Sequence, residues 1–313
     1  MVFRVGAATP MARAAMMAVC CLISLVGCSS IRATMTNSEV REARVDVAII
    51  TVLPEEYHAV LRKLENVRHV IEPDGRANVY VWATGEIRSD DPKTRHRLVV
   101  AMVGEAGEVS GALATKMTID RWNPRDVLLV GIAGGVHDSV ELGDIVVSRQ
   151  IWGYEHGHLG NHYDTGGTFF FQPAPALLKA ARDLGPDWRQ RIEVAAPTGN
   201  ARSKVVEGRT ASGNKVIEST NSIYFAESIR LQTFILSVDM EGAGAAAAVA
   251  KDHDSGGTTG FLMIRGISDL VEKREGERGR NPQRDQWKRY AADVAASFAV
   301  HLIEVNGSDR ALE

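Results

Sequence analysis

The run Ile235-Leu236-Ser237-Val238-Asp239-Met240-Glu241-Gly242 passes without a linker into Ala243-Gly244-Ala245-Ala246-Ala247-Ala248-Val249-Ala250. An apolar, strand-like segment that turns at once into a helix of small residues leaves few folds open. The strand must be buried, and the helix must pack closely on its neighbours. In an extended chain, residues two apart point to the same side, so Asp239 and Glu241 can share a face where strand meets helix. Neither has a Lys or Arg near it in the sequence. Paired acids in such a place need solvent, hydrogen bonds or a polyhydroxyl ligand such as a sugar. The plain alternative is an acidic helix N-terminus, which the helix dipole favours.

The rest of the chain repeats the strand-to-helix pattern. Val45 to Thr51 reads as a buried first strand, and Val52-Leu53-Pro54-Glu55-Glu56-Tyr57 turns it into a helix reaching about Leu64. Pro54 suits a first helical turn, and the two Glu residues complement its dipole. Asn78 to Trp82 and Leu98 to Val103 read as strands, and Gly104-Glu105-Ala106-Gly107 opens a helix to Trp122. Asp126 to Val130 is a buried strand ending in Gly131-Ile132-Ala133-Gly134-Gly135. No Lys follows those glycines, so they are not a phosphate-gripping loop of the Lys-Ser/Thr type. Gly143 to Ser148, Val205 to Gly208 and Phe261 to Asp269 read as further strands, and Pro175 to Leu184 and Trp287 to Ile303 as helices. Strands alternating with helices predict one α/β domain with a central, largely parallel sheet.

That domain is expected over residues 45–306, followed by a tail over 307–313. Residues 1–28 read as an export signal. Arg4 and Arg13 precede an apolar run, Ala14 to Val26, that is short for a bilayer span, and Leu25-Val26-Gly27-Cys28 closes it. This end resembles the lipobox of bacterial lipoproteins, which makes Cys28 the expected lipidation site. Residues 29–44 read as a polar tether. The expectation is a lipoprotein anchored in a membrane and facing the periplasm or cell exterior. Initiation at Met35 would instead give a cytoplasmic protein. Cys20, Cys21 and Cys28 are the only cysteines, so the domain holds no disulfide and no Cys-ligated metal. A net charge of −3 gives no sign of nucleic-acid binding. The imidazoles between Tyr154 and Tyr163 match no standard metal spacing, and a loop near the site or plain surface is expected there.

Three acidic positions fall at or just beyond strand ends: Glu56, the Asp239/Glu241 pair and Asp269. Sites gathered from several strand ends are how open α/β sheets bind ligands. Singly, each acid is more often a helix cap. Together they fit cleavage of a glycosidic bond, with one acid for the leaving group, one base for water and one carboxylate for the sugar hydroxyls.

Four motifs then stand in a telling order: Ile49-Ile50-Thr51-Val52-Leu53-Pro54-Glu55-Glu56; Gly131-Ile132-Ala133-Gly134-Gly135 with Gly143-Asp144-Ile145-Val146-Val147; Val238-Asp239-Met240-Glu241; and Arg265-Gly266-Ile267-Ser268-Asp269. In this the chain resembles the purine nucleoside phosphorylase/uridine phosphorylase superfamily, most of all its methylthioadenosine/S-adenosylhomocysteine nucleosidase branch, over Val45 to Glu304. The resemblance implies a three-layer α/β/α domain with a mixed, largely parallel sheet, a homodimer, no cofactor, and a purine nucleoside as substrate. It implies that Asp269 protonates N7 of an adenine-type base with Ser268 in support, and that Glu56 activates water. Glu241 would hold the ribose hydroxyls with Met240 against the sugar, while Val216 and Ile217 line the base. Ile132 and Gly134 would complete the pocket. Val216 replaces a common aromatic residue, Ile132 a small hydroxyl residue and Asp239 a usual Glu, and Lys215 with the segment Arg274 to Arg289 leaves room for a phosphorylated substrate. Leu129 and Ile132 stand where phosphorylases place an Arg and a Ser/Thr, which favours water over phosphate as nucleophile. A phosphorylase and a lipid-anchored nucleoside-binding protein without turnover are the alternatives.

Overall fold

The computed structural model describes residues 44–306 apart from 71–79, 92, 137, 160–161, 165–168, 200–201, 233 and 272–280. The signal, the lipidation site Cys28, most of the tether and the tail therefore lie outside the described residues.

The elements follow in chain order as β1 (Val47–Thr51), α1 (Pro54–Leu61), β2 (Glu65–His69), β3 (Val81–Arg88), β4 (Arg95–Met102), α2 (Glu108–Trp122), β5 (Asp126–Gly135) and β6 (Ile145–Gly153). Two-residue strands β7 (His158–Leu159), β8 (Tyr163–Asp164) and β9 (Phe170–Phe171) precede α3 (Pro175–Asp183) and β10 (Val205–Ser212). The chain closes with α4 (Ile223–Glu227), β11 (Ile235–Asp239), α5 (Gly242–Asp254), β12 (Gly260–Leu270) and α6 (Pro282–Asn306).

The main sheet has the order β11-β10-β6-β12-β5-β1-β4-β3-β2. At its centre β12, β5, β1 and β4 run parallel, while β3 and β2 add antiparallel to one side. On the other side β11 bends back to pair antiparallel with β5, Ser237 facing Gly135 and Val238 facing Gly134. Strands β5, β12, β6, β10 and β11 thereby close on themselves. That closure brings the last residues of β11 against the glycine end of β5, beside the end of β12.

Side-chain alternation sorts the core into two layers. Val47, Ile49, Leu128, Val130, Leu262 and Ile264 pack with α1, α3 and α6. Ala48, Ile50, Val127, Leu129, Phe261 and Met263 pack on the opposite face with α2 and α5. The sheet is thus sandwiched between helices, a three-layer α/β/α arrangement. The small residues of α5 let it lie against α2. A Cβ on Gly244 would stand 1.9 Å from the Glu108 carbonyl oxygen, well inside contact distance.

Some boundaries differ from the sequence reading. Helix α1 stops at Leu61, three residues before the expected end. Strand β3 is described from Val81 and runs on to Arg88, past the expected end at Trp82, while Asn78 lies outside the described residues. Strand β10 continues to Ser212, because polar Thr210 and Ser212 face inward and are satisfied there. Thr210 shares hydrogen bonds with Ser148 and Ser237, at 2.7 and 2.9 Å.

Candidate active site

Glu56 lies in the first turn of α1, and its carboxylate folds back onto the end of β1. The Val52 and Leu53 amides donate to Oε2 at 2.7 and 2.9 Å, and the Ile132 amide donates to Oε1 at 2.8 Å. Pro54 leaves no amide of its own at this helix start. Three backbone donors hold a side chain that is 2% exposed, fixed between β1 and β5.

Against it lies Arg265, 0% exposed and in the middle of β12. Its guanidinium forms a short ion pair with Asp239 Oδ2 and reaches Glu241 Oε2 at 3.1 Å. Acids that have no basic neighbour in the sequence thus have one in space, supplied by a strand that follows the α5 helix. Gly131 makes the arrangement possible. A Cβ there would come within 2.5 Å of both Arg265 Nη1 and Glu56 Oε1.

Asp239 and Glu241 play different parts. Asp239 Oδ2 accepts the Gly242 amide at 2.9 Å, so it does cap the start of α5. Glu241 instead reaches across to α2, where the Gly107 amide donates to its Oε1 at 3.2 Å. Burial raises the Glu241 pKa, and the Asp239 and Glu56 carboxylates push the same way. Arg265 and the Gly107 amide oppose them.

At the end of β12 the register slips. Ile267 faces Ala133 and Asp269 faces Gly134, so Ser268 is an extra residue in the strand. A bulge of this kind re-aims the side chains that follow. The Ser268 hydroxyl donates to Asp269 Oδ1 at 2.6 Å, and Asn281 Nδ2 donates to Oδ2 at 2.7 Å from the residue before α6.

These groups face one cleft of about 590 Å³, counting space open to solvent. Glu56, Asp239, Glu241 and Asp269 line it, together with Met240, Ser268, Val216, Ile217, Ile132 and Gly134. Every site residue singled out in the domain is therefore in one place. Val216 is 52% exposed at the rim, whereas Ile217 and Ile132 form buried wall. Lys215 and Arg284, from the basic residues expected to leave room for a phosphorylated substrate, also line the cleft, as do Leu53 and Ala106, which the sequence did not single out for the pocket. Arg265 and Asn281 were missed as well. Arg265 carried a readable signal, since a charge inside an apolar strand must find a partner. Asn281 carried none, because its place depends on where the chain re-enters after β12. Lys215 pairs with Glu155 rather than standing free. In the imidazole-rich segment, His162 pairs with Glu227 at 3.1 Å and is exposed. Among the described residues no group of three His, Asp or Glu gathers as a metal would need.

Comparison with known proteins agrees with this geometry. A 5′-methylthioadenosine/S-adenosylhomocysteine nucleosidase of Desulfotalea psychrophila is 27% identical over 230 residues, 72% of this chain and 85% of that protein. One from Bacillus licheniformis is 26% identical over 267 residues, covering 82% and 98%. The crystal structure of the Colwellia psychrerythraea nucleosidase with adenine superposes with a TM-score of 0.64 at 23% identity, over 83% of this chain and 95% of that one. The Neisseria meningitidis nucleosidase with methylthio-immucillin-A gives 0.63 at 23% identity, over 83% and 98%. These structures share the fold described above. The sequence profile of the phosphorylase superfamily matches residues 46–304, nearly the whole described domain. The chain belongs to the phosphorylase superfamily.

Proposed function

We propose that this protein hydrolyses the N-glycosidic bond of an adenine-type purine nucleoside such as methylthioadenosine or S-adenosylhomocysteine. The observation that carries this reading is the meeting of Glu56, Glu241 and Asp269 in one cleft whose inner wall includes apolar Ile132. Glu56 takes a proton from water, whose oxygen bonds to C1′. The C1′–N9 bond breaks and its electron pair leaves with the base, while Asp269 delivers a proton to N7. Glu241 accepts hydrogen bonds from the ribose 2′- and 3′-hydroxyls, and Arg265 and Gly107 hold it in place. Met240 packs on the sugar, and Val216 and Ile217 flank the base. Ser268 and Asn281 orient the acid. Relatives named for this activity over most of their length support the same reading. The direct test is release of free adenine from methylthioadenosine by the purified domain. Tight binding of the nucleoside with no release would leave a binding protein instead.

The same reading includes a membrane anchor at Cys28 and a homodimer. Export is supported by the lipobox-like end of the signal. Cys28→Ser should release the protein or leave it unprocessed, and a wild type that fractionates as a soluble cytosolic protein would favour the start at Met35. The dimer is supported by an uncovered stripe on α2, where Val109, Leu113 and Met117 recur every four residues and are 70%, 53% and 44% exposed. Light scattering on the wild type should give twice the monomer mass, and Leu113→Glu should lower it.

A further inference from the structure

The segment that carries Val216 and Ile217 into the cleft has no helix or strand of its own. It leaves β10 at Ser212 and runs irregularly from Gly213 to Glu218. The Gly213 amide donates to the Asp239 carbonyl at 3.2 Å. Beyond that tie, side chains fix the segment, and Glu155 just past the end of β6 stands at their centre. Its Oε2 accepts from Asn214 Nδ2 at 2.9 Å, and its Oε1 forms a short ion pair with Lys215. Asn214 Oδ1 in turn accepts the Glu108 amide at 2.9 Å. Glu108 opens α2 directly after Gly107, whose amide holds Glu241. The Tyr154 hydroxyl donates to the Lys215 carbonyl at 3.5 Å, and the Lys215 ammonium lies 4.8 Å from the centre of the Tyr224 ring. Gly213 lets the segment and β6 meet. A Cβ there would stand 2.6 Å from the Tyr154 ring and 2.8 Å from Glu155 Cγ. One carboxylate therefore ties together the end of β6, the segment beside the base and the start of α2.

The Lys215 and Glu155 side chains are 44% and 19% exposed. An ion pair that open adds little to global stability. Its effect is local, because a segment outside the backbone ladders keeps one conformation only while its side-chain bonds hold. Once released, the segment must be ordered again when a base binds. Fixing the backbone of a single residue corresponds to about tenfold in affinity.

We infer that Glu155 is a positioning residue for the base: it presets the segment from Gly213 to Ile217, and with it the walls formed by Val216 and Ile217, without lining the cleft itself. The inference rests on the nucleosidase reading. Glu56 and Asp269 are held from other strands, so the bond-breaking step is spared. Contacts to the base that are equal in ground and transition states show in KM and leave kcat alone.

The test is calorimetric titration with adenine together with steady-state kinetics on methylthioadenosine, for wild type, Glu155→Ala and Glu155→Gln. In Glu155→Ala the adenine dissociation constant and the KM should rise together by about tenfold, with kcat within about threefold of wild type and the thermal melt unmoved. Glu155→Gln keeps an acceptor for Asn214 and loses the ion pair, so its rise should be about threefold. With Asn214→Ala and Lys215→Met already in place, Glu155→Ala should add nothing, because its partners are gone. Unchanged adenine affinity in Glu155→Ala would overturn the inference, as would a tenfold loss that persists without the Asn214 and Lys215 side chains. A lowered melt with adenine affinity intact would mark a merely structural residue and overturn it too. A wild type that binds adenine without cleaving the nucleoside would overturn the nucleosidase reading, while the adenine titrations still decide on Glu155. A wild type that neither binds nor cleaves overturns both.

Discussion

Arg265 sits wholly buried between Asp239 and Glu241, with Glu56 across Gly131. Its energetic role is to let buried carboxylates keep company in one cleft. A buried acid without a partner gives up its charge, whereas one held by Arg and backbone amides keeps its place and acceptor geometry. Asp269, on the far side of the cleft, accepts hydrogen bonds from the Ser268 hydroxyl and the Asn281 side-chain amide. In the proposed mechanism it is the group that hands a proton to the base. Asp269→Asn keeps the shape and removes the proton donor. Adenine release should fall on the order of 10²–10⁴-fold with the thermal melt unchanged, since that is the usual contribution of general acid catalysis. Near-native turnover in this variant would take Asp269 out of the mechanism.

At the scale of elements, α2 carries an unusual burden at its start. Glu108 begins the helix, and its Oε1 is buried with no hydrogen-bond partner. Burial, then Glu155 and Asp239, push its pKa up to about 7, with Lys215 opposing. The folded state thus holds a proton more tightly than the unfolded chain does. Its cost to stability is absent below about pH 4.5, grows through neutrality and is complete above about 7. Glu108→Gln should therefore stabilise the protein at pH 8 by roughly 1 kcal/mol, after screening and the lost helix-dipole attraction are discounted. At pH 4.5 the gain should vanish. Urea titrations at the two pH values read this directly, and a gain equal at both would contradict it. The elements themselves were legible to different degrees. Strands β1, β5, β11 and β12 are short apolar runs rich in Val and Ile, and their length and β-branched content mark them as buried strands. Strand β2, Glu-Asn-Val-Arg-His, is an exposed edge whose pairing comes from β3, so its own residues carry no pattern.

For the whole molecule, the closure of β11 onto β5 decides where the chemistry sits. The pairing joins residues about a hundred positions apart, and no local signal announces it. The four ordered motifs made the gathered site legible through resemblance, while the contacts that hold it, Arg265 with Asp239 and Asn281 with Asp269, depended on that closure and on the entry into α6. Closure also leaves the cleft with an apolar wall at Ile132, and buried Leu129 points into the core instead of the cleft. Neither side chain can donate a hydrogen bond to an anion. Glu56 occupies the adjoining space with a carboxylate, which repels phosphate and can take a proton from neutral water. The central claim is that water attacks. It is tested by following methylthioadenosine in phosphate-free buffer and again with millimolar phosphate, with the sugar product identified in each. The account predicts equal rates and a free sugar in both; a rate that requires phosphate, with a sugar 1-phosphate as product, would contradict it.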